Sequence, residues 1–266
     1  MGTLILAVTS LLLYSIGTAL QALSFRGRVH AGVAITSVIG GVALVSHGLL
    51  AWQVVHLESG YNLGLFESSA VISWLIVAML LVLNLRKPVH NLFLGIYPLA
   101  CLSILAVLIN TTPPRIVADS SYGILAHITL SITAYSLLSL AAAQALLLHI
   151  QNNQLKSNYN SALIRNLPPL QTMESLLFEM VWAGVVMLTF AILTGAVFID
   201  DLFAQHLAHK TVFSLLSLAV FVALLIGRYT KGWRGTTASR WTLAGTALLM
   251  LAYFGSKLAL EFIFQL

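Results

Sequence analysis

The chain has 266 residues, 59% of them hydrophobic and only 8% charged, with a formal net charge of +5. A soluble domain carries about 25% charged residues, so this sequence cannot cover a water-facing surface and lipid must solvate most of it. The lone cysteine, Cys101, excludes a disulfide and any CxxC redox or zinc site. The positive balance alone implies no nucleic acid partner, because in a membrane protein the placement of charge matters more than its sum.

Apolar runs of about 20 residues suffice to cross about 30 Å of hydrocarbon. Eight occur, at roughly 3–23, 31–54, 64–85, 91–109, 125–148, 176–199, 211–227 and 241–262, the seventh being the shortest at 17 residues. The first follows an uncharged Met1–Thr3 and precedes Arg26 and Arg28. That is the reverse of a secretory signal, so the segment is expected to be retained as a span. The breaks between runs carry turn residues and charge, as in "SFRGRVH", "LESGYN", "LRKPVHN" and "RYTKGWRGTTASR". The longest break, 149–173, is polar and contains a Pro-Pro pair; it is expected to be a cytoplasmic loop within a single transmembrane domain over 1–266. The expected fold class is all-α: a polytopic membrane bundle of eight transmembrane helices.

Alternating sides along these spans put Arg26, Arg28, Arg86, Lys87, Lys156, Arg165, Arg228, Lys231, Arg234 and Arg240 on one face, against Arg115, Lys210 and Lys257 on the other. The positive-inside rule makes the first face cytoplasmic. Both termini are then expected outside, which in a bacterial inner (plasma) membrane is the periplasmic side. No large soluble segment is left, so function must reside within the bundle or on short loops.

Ionisable groups inside spans are expensive, at about 2.5–3.5 kcal/mol at a helix centre, and are functional candidates by default. Few are present. His47 lies within the second run toward its outer end, Glu67 near the outer end of the third, and His127 at the outer end of the fifth. Helical spacing sets Thr36, Gly40, Ala43 and His47 on one face, and His127, Ser131 and Ala134 on another, with Tyr135 beside them. Small residues beside a histidine allow a helix or a flat ligand to approach. If the three outer groups face a common interior, they line one pocket. Each also has a plainer reading. Either histidine can simply hydrogen-bond a neighbouring helix, and Glu67 can be a helix N-terminal charge favoured by the dipole. Trp52 suits an interface anchor, and Trp74, which lies deeper, suits packing. In "DDLFAQHLAHK", His206 and His209 at i, i+3 with Asp200 and Asp201 nearby suit a metal site or, more plainly, a solvated loop. His30, His90 and His149 flank the cytoplasmic ends beside Arg and Lys, where interfacial anchoring suffices. No nucleotide-binding loop, nucleophile elbow or HExxH is present, and no enzymatic activity is expected.

Four stretches carry a resemblance: "SHGLLAWQVVHLESGYNLGLFESSAVISWLI", "LAHITLSITAYSLLSLAAAQALLL", "NLPPLQTMESLLFEMVWAGVVMLTFAILTGAVF" and "HKTVFSLLSLAVFVALLIGRYTKGWRGTTASRWTLAGTALLMLAYFG". Over about residues 37–255 they resemble the cytochrome c assembly family of membrane haem-handling proteins (the CcsA, ResC and CcmC types). Within it they look most like a compact bacterial inner membrane branch of the YpjD type. The Thr-Gly element of the sixth run and the Gly-Trp-Arg-Gly turn, in that order, carry most of the likeness. Haem-presenting members hold a Trp-rich WGxxWxWD loop before the seventh helix; here "IDDLFAQHLAHKTVF" stands in its place, without tryptophan. The resemblance implies haem as cofactor. His127 matches the family's outer haem-ligand histidine, and His47 a membrane-embedded one, so both are expected haem-iron ligands. Glu67, Trp74 and Tyr135 are expected around the cofactor. Expected partners are the lipid bilayer, haem and other cytochrome c assembly proteins. Two readings from other classes stay open: a small-solute or ion transporter relaying charge through His47 and Glu67, and a non-catalytic membrane partner subunit.

Overall fold

A computed structural model describes residues 2–26, 32–58, 60–114, 116–117, 121–157, 166–198 and 208–255. Among them are eight α-helices: α1 (Gly2–Phe25), α2 (Val33–Val55), α3 (Leu65–Asn84), α4 (Phe93–Ile109), α5 (Tyr122–Ser157), α6 (Leu170–Phe198), α7 (Ala208–Lys231) and α8 (Gly235–Met250). Seven helical segments, counting α4 with the 3-10 turn His90–Leu92 before it, are long and apolar enough to cross a membrane. The exception is α8, whose 16 residues lead into a π-helical turn over Leu251–Gly255. The rest of the eighth expected span lies outside the described residues. Each helix falls on one predicted apolar run, because a hydrocarbon solvent leaves the backbone no partner except its own i→i−4 bonds.

Several boundaries differ from expectation, the helices of the sixth and eighth runs each beginning six residues early, at Leu170 and Gly235. The seventh run, only 17 residues long in the sequence, belongs to a helix of 24 residues. The fifth belongs to one of 36 residues. The loop expected over 149–173 is accordingly shorter, since α5 continues to Ser157 and α6 begins at Leu170. Hydropathy registers only the part of a helix that lipid solvates. The polar segment "HIQNNQLKS" stays helical beyond it through its own side chains: His149 Nε2 and Asn153 Nδ2, one turn apart, are 3.0 Å from each other. Gln151 Nε2 donates to the Pro168 carbonyl at 3.0 Å, tying α5 to the start of α6.

The chain forms two compact units, Met1–Asp119 with Asn160–Leu167, and Ser120–Tyr159 with Pro168–Leu266. In the first, α1 packs on α2 and α4, α2 on α3, and α3 on α4, closing a four-helix ring. Thr3 Oγ1 donates to Gln53 Oε1 at 3.2 Å, so the start of α1 lies beside the end of α2 and the two run antiparallel. The same end carries a departure from an all-helical chain: a small antiparallel sheet of His56–Leu57, Gly60–Asn62 and Ile116–Val117, with Tyr61 opposite both His56 and Val117. These connecting segments pair with each other because backbone groups outside a helix still need partners. Gly60, with φ of 131°, supplies the turn conformation that favours glycine.

In the second unit α5 runs along α6 and also packs on α8, while α7 packs on α6 and α8. The turn between α7 and α8 is built from "GWRG". Gly232 and Gly235 have φ of 64° and 56°. The Trp233 ring lies over Gly227, where a side chain would collide with it. The Gly235 N–H donates to Glu174 Oε1 at 2.6 Å, so a carboxylate from α6 caps α8 where the helix dipole favours negative charge.

Candidate functional site

In the second unit, α5 and α6 cross closely where Gly195 of α6 faces the imidazole of His127. A Cβ built on Gly195 would lie 2.9 Å from His127 Cε1 and 3.0 Å from Nδ1. Glycine is therefore what lets the ring rest on the α6 backbone. His127 Nδ1 is 2.7 Å from the Ala191 carbonyl. A carbonyl only accepts, so Nδ1 carries the proton and Nε2 presents its lone pair. The same oxygen also accepts from Thr194 Oγ1 at 2.9 Å. An imidazole oriented through one nitrogen by a backbone carbonyl, with the other nitrogen left as base, is the usual preparation of a metal-ligating histidine. Thr194 and Gly195 are the Thr-Gly element of the sequence, and its role here is to seat this ring.

Two turns along α5, Tyr135 is buried, and among the described residues its hydroxyl has no hydrogen-bond partner. Its ring meets Tyr253 at 6.0 Å and Phe254 at 5.5 Å between centroids, the latter edge-on. Both belong to the π-helical turn after α8. Ala134 is buried and Ser131 half-buried, as the expected face of α5 requires. Sequence reasoning had no signal for the Tyr253–Phe254 contact, which depends on the irregular turn.

His47 belongs to the first unit and has a different setting. Thr36, Gly40, Ala43 and His47 all lie on the buried side of α2, as expected, and Ser46 joins them. The ring itself is 0% exposed. Its Nδ1 is 3.4 Å from Tyr14 Oη, and the two rings meet edge-on at 5.8 Å. Among the described residues its Nε2 has no hydrogen-bond partner. His47, the other expected iron ligand, is thus buried against Tyr14 in the first unit, and His127 belongs to the second. Tyr14 in turn meets Tyr97 at a tilt, and Tyr97 stacks on Phe93; neither tyrosine carries a signal in the sequence.

The remaining candidates of the first unit hold helices together. Trp74 Nε1 donates to the Leu44 carbonyl at 3.0 Å, and its ring lies against Gly48, so it packs α3 on the turn of α2 that carries His47. Glu67 is buried in the first turn of α3 and accepts from Asn110 Nδ2 at 3.0 Å, which joins α3 to the end of α4. Glu67→Gln keeps an acceptor for Asn110 and is expected to cost less than about 1 kcal/mol. Glu67→Ala leaves that amide without its partner and is expected to cost about 1–3 kcal/mol. Thermal unfolding of the two variants in detergent checks the difference. Trp52 is exposed and stacks on His56 at 4.6 Å, as an interface anchor would. His206, Asp200 and Asp201 lie outside the described residues. His209 is in the first turn of α7, and among the described residues no group of three or more His, Cys, Asp or Glu side chains is placed to hold a metal.

The family model described as cytochrome C assembly protein matches residues 35–264. The inner membrane protein YpjD of Escherichia coli K12 is 31% identical over 265 residues, covering 97% of this chain and 99% of its own length. Protein HemX of Brevibacillus brevis is 27% identical over 72% of each chain. The cytochrome c biogenesis protein CcsA of Gloeothece citriformis is 22% identical over 94% of this chain and 90% of its own. No solved structure matches. With the family model spanning helices α2 to α8 and the YpjD match running nearly end to end, this membrane-spanning helical chain belongs to the cytochrome c assembly protein family.

Proposed function

We propose that the protein binds haem through His127 in the bacterial inner membrane and holds or passes it during cytochrome c assembly, without catalysing a covalent step. The carrying observation is the 2.7 Å hydrogen bond from His127 Nδ1 to the Ala191 carbonyl. It fixes the tautomer that leaves Nε2 as the donor to iron, and haem iron takes axial imidazole. Haem, when bound, supplies that iron. The chain supplies the oriented ring, the Gly195 cradle beneath it, and the Tyr135 hydroxyl, a hydrogen-bond donor without a partner among the described residues. The names of the relatives, an inner membrane protein and a cytochrome c biogenesis protein, agree with the location and the pathway. Other cytochrome c assembly proteins are the proposed partners.

The test is a reduced-minus-oxidised spectrum of the detergent-purified protein after haem supplementation. A Soret band that disappears in His127→Ala is expected; no band, or an unchanged band in that variant, rejects the reading. Both termini are proposed to lie on the periplasmic side, from the excess of Lys and Arg on the opposite loops. A periplasm-active reporter fused after Leu266 is expected to be active, and a fusion within 158–165 inactive.

A further inference from the structure

A cleft of about 550 Å³ lies in the second unit, away from His127, between α6 and the last turns of α7. Phe178, Glu179, Trp182, Arg228 and Tyr229 line it. Arg228 is the first charged residue after the apolar run of α7, and Lys231 follows it in the same last turn. The cleft therefore sits where α7 leaves hydrocarbon. The Arg228 guanidinium stacks 4.6 Å above the Phe178 ring. A guanidinium held by its face keeps its in-plane N–H groups for other partners, and these fit phosphate as a fork. One of them reaches the Trp233 carbonyl at 3.4 Å; among the described residues the others have no partner. Trp182 Nε1 donates to Tyr229 Oη at 3.1 Å. That bond pins the two aromatic walls and leaves the Tyr229 proton to donate into the cleft.

Two more features narrow the occupant. Trp182, Val186 and Phe190 follow each other at i+4 along α6, while Tyr229, Ile226 and Val222 run back along one side of α7. All six are exposed, so apolar tracks lead from the cleft into the lipid-facing surface. An occupant with a polar head and acyl chains matches this layout, and a free ion does not use it. Glu179 places a carboxylate on the same cleft as Arg228. One cation and one anion together favour a headgroup carrying both charges over a purely anionic one.

We propose that this cleft is a phospholipid site that takes a phosphoethanolamine headgroup, with the phosphate on Arg228 and Tyr229, the ammonium toward Glu179, and the acyl chains along the tracks of α6 and α7. The test uses the full chain in nanodiscs of mixed phosphatidylethanolamine and phosphatidylglycerol, released into native mass spectrometry. Retained phosphatidylethanolamine is expected on the wild type, about tenfold reduced in Arg228→Gln. Tyr229→Phe is expected to reduce it less, and Glu179→Gln to shift retention toward phosphatidylglycerol. Circular dichroism confirms that each variant is folded; the milder Tyr229→Phe and Glu179→Gln keep the test open if Arg228→Gln is not. Inorganic phosphate at millimolar concentration is expected not to displace the lipid. Retention of phosphatidylglycerol at or above phosphatidylethanolamine on the wild type, equal retention in a folded Arg228→Gln, or displacement by phosphate alone overturns the proposal.

Discussion

Gly40→Ala is expected to lower stability by about 3 kcal/mol, whereas Gly41→Ala, at the next residue, is expected to leave it unchanged or slightly raised. Gly40 faces Tyr97, and a Cβ there would collide with the Tyr97 hydroxyl. Tyr97 cannot easily yield. Its ring is 0% exposed and stacks on Phe93 at 4.9 Å, with Tyr14 on another side at 5.2 Å. Its hydroxyl donates to the Thr36 carbonyl at 3.2 Å, one turn from Gly40. Overpacking of this kind costs about 1–3 kcal/mol, and the lost hydrogen bond adds about 1 kcal/mol. A Cβ on Gly41 meets nothing within 4 Å, so only the helix propensity gain of up to about 1 kcal/mol remains. Thermal unfolding in detergent should therefore separate two neighbouring glycines by about 6–12 °C. Adding Tyr97→Phe to Gly40→Ala removes the nearest colliding atom and is expected to recover part of the loss, a non-additivity that two independent sites would not show. Equal unfolding temperatures for Gly40→Ala and Gly41→Ala would mean that α1, α2 and α4 do not close around Tyr97.

The second large effect concerns haem. His127→Ala is expected to abolish the Soret band, and Gly195→Val to weaken haem affinity by about 10–100-fold, the usual cost of disturbing the group that orients a ligating imidazole. Valine's branches would occupy the space where the His127 ring now contacts the α6 backbone, breaking the bond to the Ala191 carbonyl while leaving the imidazole in the protein. The pair of variants thus separates the ligand from its positioning. Thr129→Ala is the control: Thr129 is exposed and bonds its own helix, through the Leu125 carbonyl at 2.9 Å. Titration of haem into the purified variants, followed by absorbance, measures all three. Full affinity in Gly195→Val would show that ring orientation by α6 does not contribute, and loss of affinity in Thr129→Ala would show that the effect is not local to His127.

The two predictions lie in different units, and they mark different depths of reading. That α2 has a buried side carrying Thr36, Gly40, Ala43 and His47 follows from helical spacing, and the structure has it so. That Gly40 is indispensable and Gly41 is not does not follow, because the distinction depends on a tyrosine 57 residues away in sequence. The Arg228 cleft is similar: a lone arginine after an apolar run looks like an interfacial charge until Phe178 and Trp182 are placed beside it.

The sequence by itself determined that the chain is helical, that lipid solvates it, where each helix begins to within about six residues, and which family it joins. These follow from one-dimensional properties: the length of an apolar run, the scarcity of charge, and motifs such as Thr-Gly and Gly-Trp-Arg-Gly. Only the tertiary structure decided what each polar group does. His47 and His127 look alike along the chain, each an imidazole in an apolar run beside small residues. Folding encloses one behind Tyr14 and sets the other on the Ala191 carbonyl with its second nitrogen left as base. A side chain's chemistry in a low-dielectric interior is fixed by the few atoms that reach it, and those atoms come from helices distant in sequence.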